Sequence, residues 1–491
     1  MKTFYISTSI PYVNAAPHIG HALEFVQADV VARFARQKKY DVFFLSGTDD
    51  NALKNVLSAE SVGVAPAIWV AQHAKIFKDL LAALNISNDD FIQTSIEDRH
   101  IKGAQKLWLS CKKEDIYKKK YKGLYCVGCE EFKKEADLIN GECGEHVGKK
   151  LEIVEEENYF FKLSNYQKQI EDILVNNKLR IIPESRKNEM LSFVVAGLED
   201  FSISRSVARA KNWGVPVPGD QAQVMYVWFD ALSNYINALG FSDDSKNFKK
   251  YWEKGDEIVH VIGKGITRFH AIYWPAMLLS AGINLPTKIF VHGYLTIDGA
   301  KISKTLGNVV DPFELIKKYG ADAVRYYLLR EIASTEDGDY SEAKFITRYN
   351  ADLANGLGNL VSRVLTLADK KGEVSCEMAL VLESETLDKI SSIKDKVKTL
   401  TQEFKFSEAL ASLWELVAYA DKYVNDRKPW AEKDNTQTLV NALTVIDNIS
   451  ALLMPYLPAT SEKITKSIVW IDNGVRVVKG AVLFPRLNPK P

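Results

Sequence analysis

From Phe4 onward, short apolar runs alternate with longer segments whose apolar residues recur every three or four positions. Phe4, Tyr5 and Ile6, Val42 to Leu45, and Phe91 to Thr94 read as strands. Ile19, Leu23, Val26, Val30 and Phe34 share one helical stripe, and Trp69 to Leu84 forms a second amphipathic helix. Such alternation predicts βαβ units on a parallel sheet. It breaks off near Cys111, where a basic stretch (Lys112 to Lys122), a Cys/Gly-rich segment and an acidic one (Glu155 to Glu157) mark an insertion. Two apolar runs, Val224 to Phe229 and Glu257 to Gly263, then read as buried strands that resume the sheet. Beyond Ser341 only helical periodicity is expected: Leu410, Leu413, Val417, Ala420 and Val424 make one stripe, and Leu439, Leu443, Ile446, Ile449 and Leu453 another.

The expected architecture is α/β, a Rossmann-like parallel-sheet catalytic domain split by a metal-binding insertion and followed by an α-helical bundle. The boundaries fall at 1–112 and 224–290 for the two halves of the catalytic domain and 113–223 for the insertion. A loop-bearing connecting region occupies 291–345, and the helical domain 346–491. With 491 residues and 46% hydrophobic content, the chain can fill about three cores. Sixty-three basic residues balance sixty-three acidic ones, so contact with nucleic acid has to come from local patches. The N-terminus lacks the apolar core of a signal peptide and no run is long enough to span a membrane, so a cytoplasmic protein is expected. Five cysteines do not suggest a disulfide framework.

Candidate chemistry gathers at two places. His18-Ile19-Gly20-His21 lies where the first strand gives way to the first helix, the position at which an α/β sheet receives phosphate on free N–H groups. Gly20 lets the backbone come close, and two imidazoles can donate to a phosphate whose charge grows as a nucleophile attacks. Far downstream, Lys301-Ile302-Ser303-Lys304-Thr305 is bracketed by Gly299 and Gly307, which reads as a mobile loop able to close two cations over a departing pyrophosphate. Each word alone is equally compatible with an ordinary helix start or a solvated loop; their order in one chain points to ATP chemistry. No Gly-x-x-x-x-Gly-Lys-Ser/Thr loop occurs, which argues against a P-loop NTPase.

Within the insertion, Cys126-x-x-Cys129 and Cys143-x-x-His146 provide two ligand pairs, each spaced so that a tight turn aims both side chains at one ion. Three thiolates and an imidazole suit tetrahedral Zn²⁺, and four protein ligands leave no open position, so the ion is expected to be structural. Stray thiols in a loop are the plainer reading.

The two words resemble the signature motifs of class I aminoacyl-tRNA synthetases. Pro11-Tyr12-Val13-Asn14 before the first and Val291-His292-Gly293-Tyr294 before the second resemble the methionyl-tRNA synthetases in particular. The likeness runs from about Phe4 to beyond Trp430. It implies a ligase that activates methionine with ATP and Mg²⁺ and then transfers it to the 3′ adenosine of tRNA(Met), the 2′-hydroxyl attacking first. By the family pattern, His18, Gly20, His21, Gly263, Lys301, Ser303 and Lys304 bind ATP, with His18, His21, Lys301 and Lys304 catalytic. Ile10, Tyr12, Trp228, Tyr235, Ile266 and His270 line a methionine slot, and Asp49 holds the ammonium. Asn359, Arg363 and Trp430 match anticodon-reading positions, which makes 346–491 an anticodon-binding domain. Taken alone, Trp228 and Trp430 read as packing residues, and Asn359 and Arg363 as a solvated helix face.

Three departures stand out. Thr48-Asp49-Asp50-Asn51-Ala52 replaces the family's more usual Thr-Asp-Glu-His-Gly, Gly265 stands for an Asp, and Ile302 for a frequent Met. A cysteinyl synthetase would scatter its zinc ligands along the chain, and a small nucleotidyltransferase has no need of the helical third. An inactive paralogue that binds RNA or a protein partner remains the alternative. A monomer is expected, acting without a membrane.

Overall fold

The computed structural model describes every residue except 129–130, 134, 136–137, 145–150, 303–306, 372–373, 376–382, 473 and 488–491. It divides into two compact units, one made of Met1–Pro17, Lys38–Leu81 and Ser87–His292, the other of His18–Gln37, Ala82–Ile86 and Gly293–Pro491.

The first unit is built on a six-stranded sheet of Thr3–Thr8 (β1), Asp41–Thr48 (β2), Asp90–Gln93 (β3), Arg180–Ile182 (β4), Glu257–Gly263 (β5) and Lys288–His292 (β6). The order is β3-β2-β1-β5-β6-β4 and every pairing is parallel. Strand order reverses between β1 and β5, the switch point at which such sheets bind ligands beyond their carboxyl ends. β1 is buried from Phe4 to Thr8, as expected for a parallel strand covered on both faces. Around the sheet, Tyr5, Trp252 and Trp274 are buried in one core, Tyr5 lying 5.9 Å from Trp252 and donating from its hydroxyl to the Tyr235 carbonyl at 2.7 Å.

Two expectations need correction. The run Val224 to Phe229 is not one strand: Asp220–Met225 pairs antiparallel with Ser204–Ser206 and Pro216–Val217, and Val227–Leu232 is helix. Burial on every side erases the periodicity that separates the two. Nor is the parallel sheet confined to 1–112 and 224–290, since β4, within 113–223, pairs with β6. The insertion's basic and acidic stretches face each other on an antiparallel hairpin of Ile116–Cys126 and Glu152–Phe161, where Lys120 pairs with Glu157 and Lys122 with Glu155. Cross-strand opposite charges favour that register.

In the second unit, the stripes anticipated at Leu410 and Leu439 lie on the helices Phe406–Arg427 and Thr436–Leu453, with their apolar positions buried. Strands do not vanish after Ser341, however: Val374–Ser375, Ile468–Ile471 and Gly474–Val477 form a small sheet. Strands of two to four residues are too short to show alternation. The helix Ile19–Gln37 belongs to this unit. Its buried Asp29 meets the fully buried Arg325 guanidinium at 2.7 Å, and the same guanidinium donates to the carbonyls of Leu84, Pro455 and Tyr456 at 3.2, 3.0 and 2.7 Å. Among the described residues no helix is long and apolar enough to cross a membrane.

Candidate active site

His18 and His21 open the helix Ile19–Gln37, their rings 4.0 Å apart. The His21 Nδ1 accepts from the His18 backbone N–H at 3.1 Å, and the His18 Nδ1 accepts from the Gly20 N–H, also at 3.1 Å. A neutral imidazole whose Nδ1 accepts carries its proton on Nε2, so the fold makes both rings Nε2–H donors. Gly20 is required sterically: a Cβ there would sit 2.9 Å from His18 Cε1 and 4.0 Å from Ile302 Cδ1. That second approach brings the two motifs together.

The second motif begins on a hairpin. Leu295–Ile297 pairs with Ala300–Lys301, and both turn residues, Asp298 and Gly299, have positive φ (48° and 77°), the type I′ geometry that suits two-residue hairpins. Asp339 accepts from the Gly299 N–H and the Thr296 hydroxyl, both at 2.7 Å, and these bonds hold its carboxyl below the usual range, the Gly299 N–H most of all. Gly299 thus serves a tight turn that launches Lys301. Ser303, Lys304 and Thr305 lie outside the described residues.

The residues assigned to the amino acid gather beyond the carboxyl ends of β1, β2 and β5. Tyr12, after β1, bridges to Asp49, after β2, and the Asp49 N–H donates to the Pro11 carbonyl at 2.9 Å. Ile10 and Ile266 pack at the edge of the core. Trp228 stacks on Phe269 at 3.8 Å and meets Tyr12 edge-on at 6.3 Å; its indole N–H is buried with no hydrogen-bond partner among the described residues. The Tyr235 hydroxyl and His270 Nε2 are 2.7 Å apart, and His270 Nδ1 lies 2.9 Å from the Ile266 carbonyl. Trp228 sits on a helix, not a strand, and its ring forms a wall beside Tyr12. Gly263 closes β5, and a Cβ there would meet the His292 ring at 3.5 Å.

Asp49 is almost fully buried, and burial, reinforced by Asp230 and Asp50, raises its pKa well above the carboxylate norm. Burial likewise pushes Asp50 up to about 6. A cluster of carboxylates in which burial outweighs the opposing charge of Lys54 suits a ligand that brings an ammonium. Sequence reading missed the partners behind Asp49. The Asn51 amide donates to Asp230 Oδ2 at 2.7 Å, and His100 Nε2 meets Asp230 Oδ1 at 2.5 Å, so the departure at Asn51 supplies a bond to a buried carboxylate. His260, 2.7 Å from the Ser7 hydroxyl through Nδ1, was also missed; burial drives its pKa well below normal. The available signal was polarity inside apolar runs, at Asp230 and His260.

In the second unit Asn359 is exposed at the start of the helix Asn359–Lys371. One turn on, the Arg363 guanidinium donates to Asp421 Oδ1 at 2.8 Å and Asn425 Oδ1 at 2.7 Å, on the last turns of Phe406–Arg427. Trp430 follows that helix, 54% exposed beside a buried Pro429, which is not how a packing residue sits. Of the metal candidates, Cys126 and Cys143 are buried at 2% exposure, ending the strand Ile116–Cys126 and the two-residue strand Glu142–Cys143, while Cys129 and His146 lie outside the described residues. Among the described residues no group of three or more metal-binding side chains forms.

The family model for class I tRNA synthetases of the methionine type matches residues 4–365, and that for the anticodon-binding domain of tRNA ligases matches 383–479. This chain belongs to the methionyl-tRNA synthetase family. It is 40% identical to the methionine–tRNA ligase of Caldanaerobacter subterraneus over 99% of this chain and 79% of that one. To the ligase of Brucella suis it is 40% identical over 94% and 91%. The Mycobacterium tuberculosis methionyl-tRNA synthetase, solved in complex with methionyl-adenylate, superposes with a TM-score of 0.93 at 37% identity, covering 99% of this chain and 100% of that one. In family terms, the α/β sheet and the helical C-terminal region fall where a synthetase has its catalytic and anticodon-binding parts.

Proposed function

We propose that the protein is a methionine–tRNA ligase. The observation that carries this reading is the near full-length likeness to a synthetase solved with methionyl-adenylate. In the first step a methionine carboxylate oxygen attacks the α-phosphorus of ATP, the bond to the β-phosphate oxygen breaks, and pyrophosphate leaves. In the second, a ribose hydroxyl of the tRNA 3′ adenosine attacks the acyl carbon and AMP departs.

Little covalent chemistry falls to the protein; positioning and charge stabilisation dominate. The Nε2–H groups of His18 and His21 face the α-phosphate, Gly20 and Gly263 admit the nucleotide, and Lys301, Ser303 and Lys304 receive the pyrophosphate. Mg²⁺ bound with ATP would supply positive charge against the phosphates. Asp49 binds the substrate ammonium, whose positive charge favours the ionised carboxylate against the burial that opposes it. Ile10, Tyr12, Trp228, Ile266 and the Tyr235–His270 pair enclose the thioether, a group that favours apolar, aromatic walls. Asn359 and Arg363 offer hydrogen bonds, and Trp430 a stacking face, to unpaired anticodon bases. Cys126, Cys129, Cys143 and His146 would hold a structural Zn²⁺, a role that the buried thiols of Cys126 and Cys143 at the ends of two strands fit. The enzyme acts as a cytoplasmic monomer.

The test is amino-acid-dependent ATP–pyrophosphate exchange on zinc-replete protein, run with all twenty amino acids and no tRNA. Exchange with methionine alone is expected. Exchange with a different amino acid would overturn the assigned pocket, and none at all would overturn the ligase.

A further inference from the structure

A half-open cavity of about 640 Å³, lined by residues of 113–223 together with Tyr226, Arg268 and Tyr273, contains none of the residues assigned above to methionine or ATP. It lies against the hairpin of Ile116–Cys126 and Glu152–Phe161, and Phe193 and Ala196, at the end of the helix Glu184–Val195 and just beyond it, close another side. Aromatic rings and cations share its wall. Tyr121 lies 5.6 Å from Phe160 and meets Phe132 edge-on at 4.9 Å, and the Arg209 guanidinium sits 4.4 Å over the Tyr125 ring. Five cationic side chains line the cavity against three carboxylates, so its balance favours an anion.

One wall residue has a bond left to make. Asn158 is 1% exposed; its amide NH₂ donates to Glu156 at 3.4 Å, but its Oδ1 is buried with no hydrogen-bond partner among the described residues. A buried acceptor left without a donor is costly, and a ligand N–H would supply one. Rings, cations and a lone amide acceptor are together what an unpaired nucleotide asks for: a stacking face, compensation of its phosphate, and an acceptor for an exocyclic amine.

We propose that this cavity is a second nucleotide site, taking the unpaired base and phosphate of an amino-bearing nucleotide such as adenosine or cytidine, with its amine on Asn158 Oδ1. The source that rests on the ligase reading is the single-stranded 3′ end of the tRNA; a free mononucleotide has the same chemistry.

The experiment measures fluorescence anisotropy of a labelled three-nucleotide RNA ending in adenosine on the full zinc-replete chain. Methionine is present, while ATP and its analogues are left out because an adenosine nucleotide would compete for the proposed site; binding lost in the cavity variants separates it from the synthetic site. Tyr121→Leu and Arg209→Gln are compared with the parent, and thermal melts check folding. Loss of the ring should raise Kd about tenfold, as stacking energies imply, and the arginine change should flatten the salt dependence. Methionine-dependent exchange should stay unchanged in both variants. AMP binding that falls in the same variants while the RNA fails to bind also supports the site and assigns it to a mononucleotide. Equal affinities in parent and folded variants, or no binding of either probe, would overturn the proposal. Exchange activity is read separately, so failure of the ligase reading leaves this result interpretable.

Discussion

Gly20→Ala separates the stability of the histidine motif from its chemistry, because the two should move in opposite directions. Alanine is favoured over glycine in a helix by about 1 kcal/mol, so the helix Ile19–Gln37 should not be weakened. The new methyl group, however, would lie 2.9 Å from His18 Cε1 and 3.0 Å from Nδ1, where ordinary contact begins at 3.4 Å. The ring is the movable partner, and it must retreat by about 0.5 Å or more, losing the 3.1 Å bond that fixes its tautomer. Misplacement on the scale of 1 Å costs about 10²-fold in rate, and loss of a single preorganised donor about 3 kcal/mol. Adenylate formation, followed by methionine-dependent ATP–pyrophosphate exchange, should therefore fall about a hundredfold in kcat. The KM for methionine should stay near its parent value, since His18 and Gly20 are not among the residues assigned to the methionine slot. A variant that melts no lower than the parent yet keeps more than about a third of its kcat would refute the claim that Gly20 serves the orientation of His18.

Three other outcomes are expected. Trp430→Ala should raise KM for tRNA roughly tenfold, the worth of one stacked base, without lowering the melting temperature, because the side chain is 54% exposed; an unchanged KM would remove it from anticodon reading. Asp50 has its pKa raised from 3.8 to about 6, so its protonated form stabilises the fold below pH 4 and that contribution is lost as pH rises through 6. It is worth about 3 kcal/mol by linkage, and Asp50→Asn should flatten the rise in urea midpoint on going from pH 7 to pH 5. Native mass measurement should find one zinc per chain, and Cys126→Ser should lower that occupancy and the melting temperature; a metal-free parent would end the zinc assignment.

The parallel sheet and the long helices were legible because their patterns are long and regular. Ile19 to Phe34 and Leu439 to Leu453 each cover several helical turns. Val224 to Phe229 failed for a physical reason: a segment buried all round has no polar face to reveal its period. The short strands after Ser341 offered too few residues for any period. At the site, His18 and His21 could be placed from the strand-to-helix turn alone, but the Nδ1 acceptors that set their tautomers depend on ring rotation. The Asp230–His100–Asn51 network joins residues as much as 179 positions apart, and no local spacing encodes it.

One guanidinium makes the boundaries of this chain poor places to cut. Arg325 clasps Asp29, eight residues after His21, and the same group grips the carbonyls of Pro455 and Tyr456. A fragment ending near residue 345 would keep both signature words, but its arginine would be stripped of two acceptors and its first helix of the segment that anchors it. Laboratory dissection into a free-standing catalytic piece and a free-standing RNA-reading piece therefore works against the packing, and any lineage that shed or exchanged the last helices would have had to replace that clasp first.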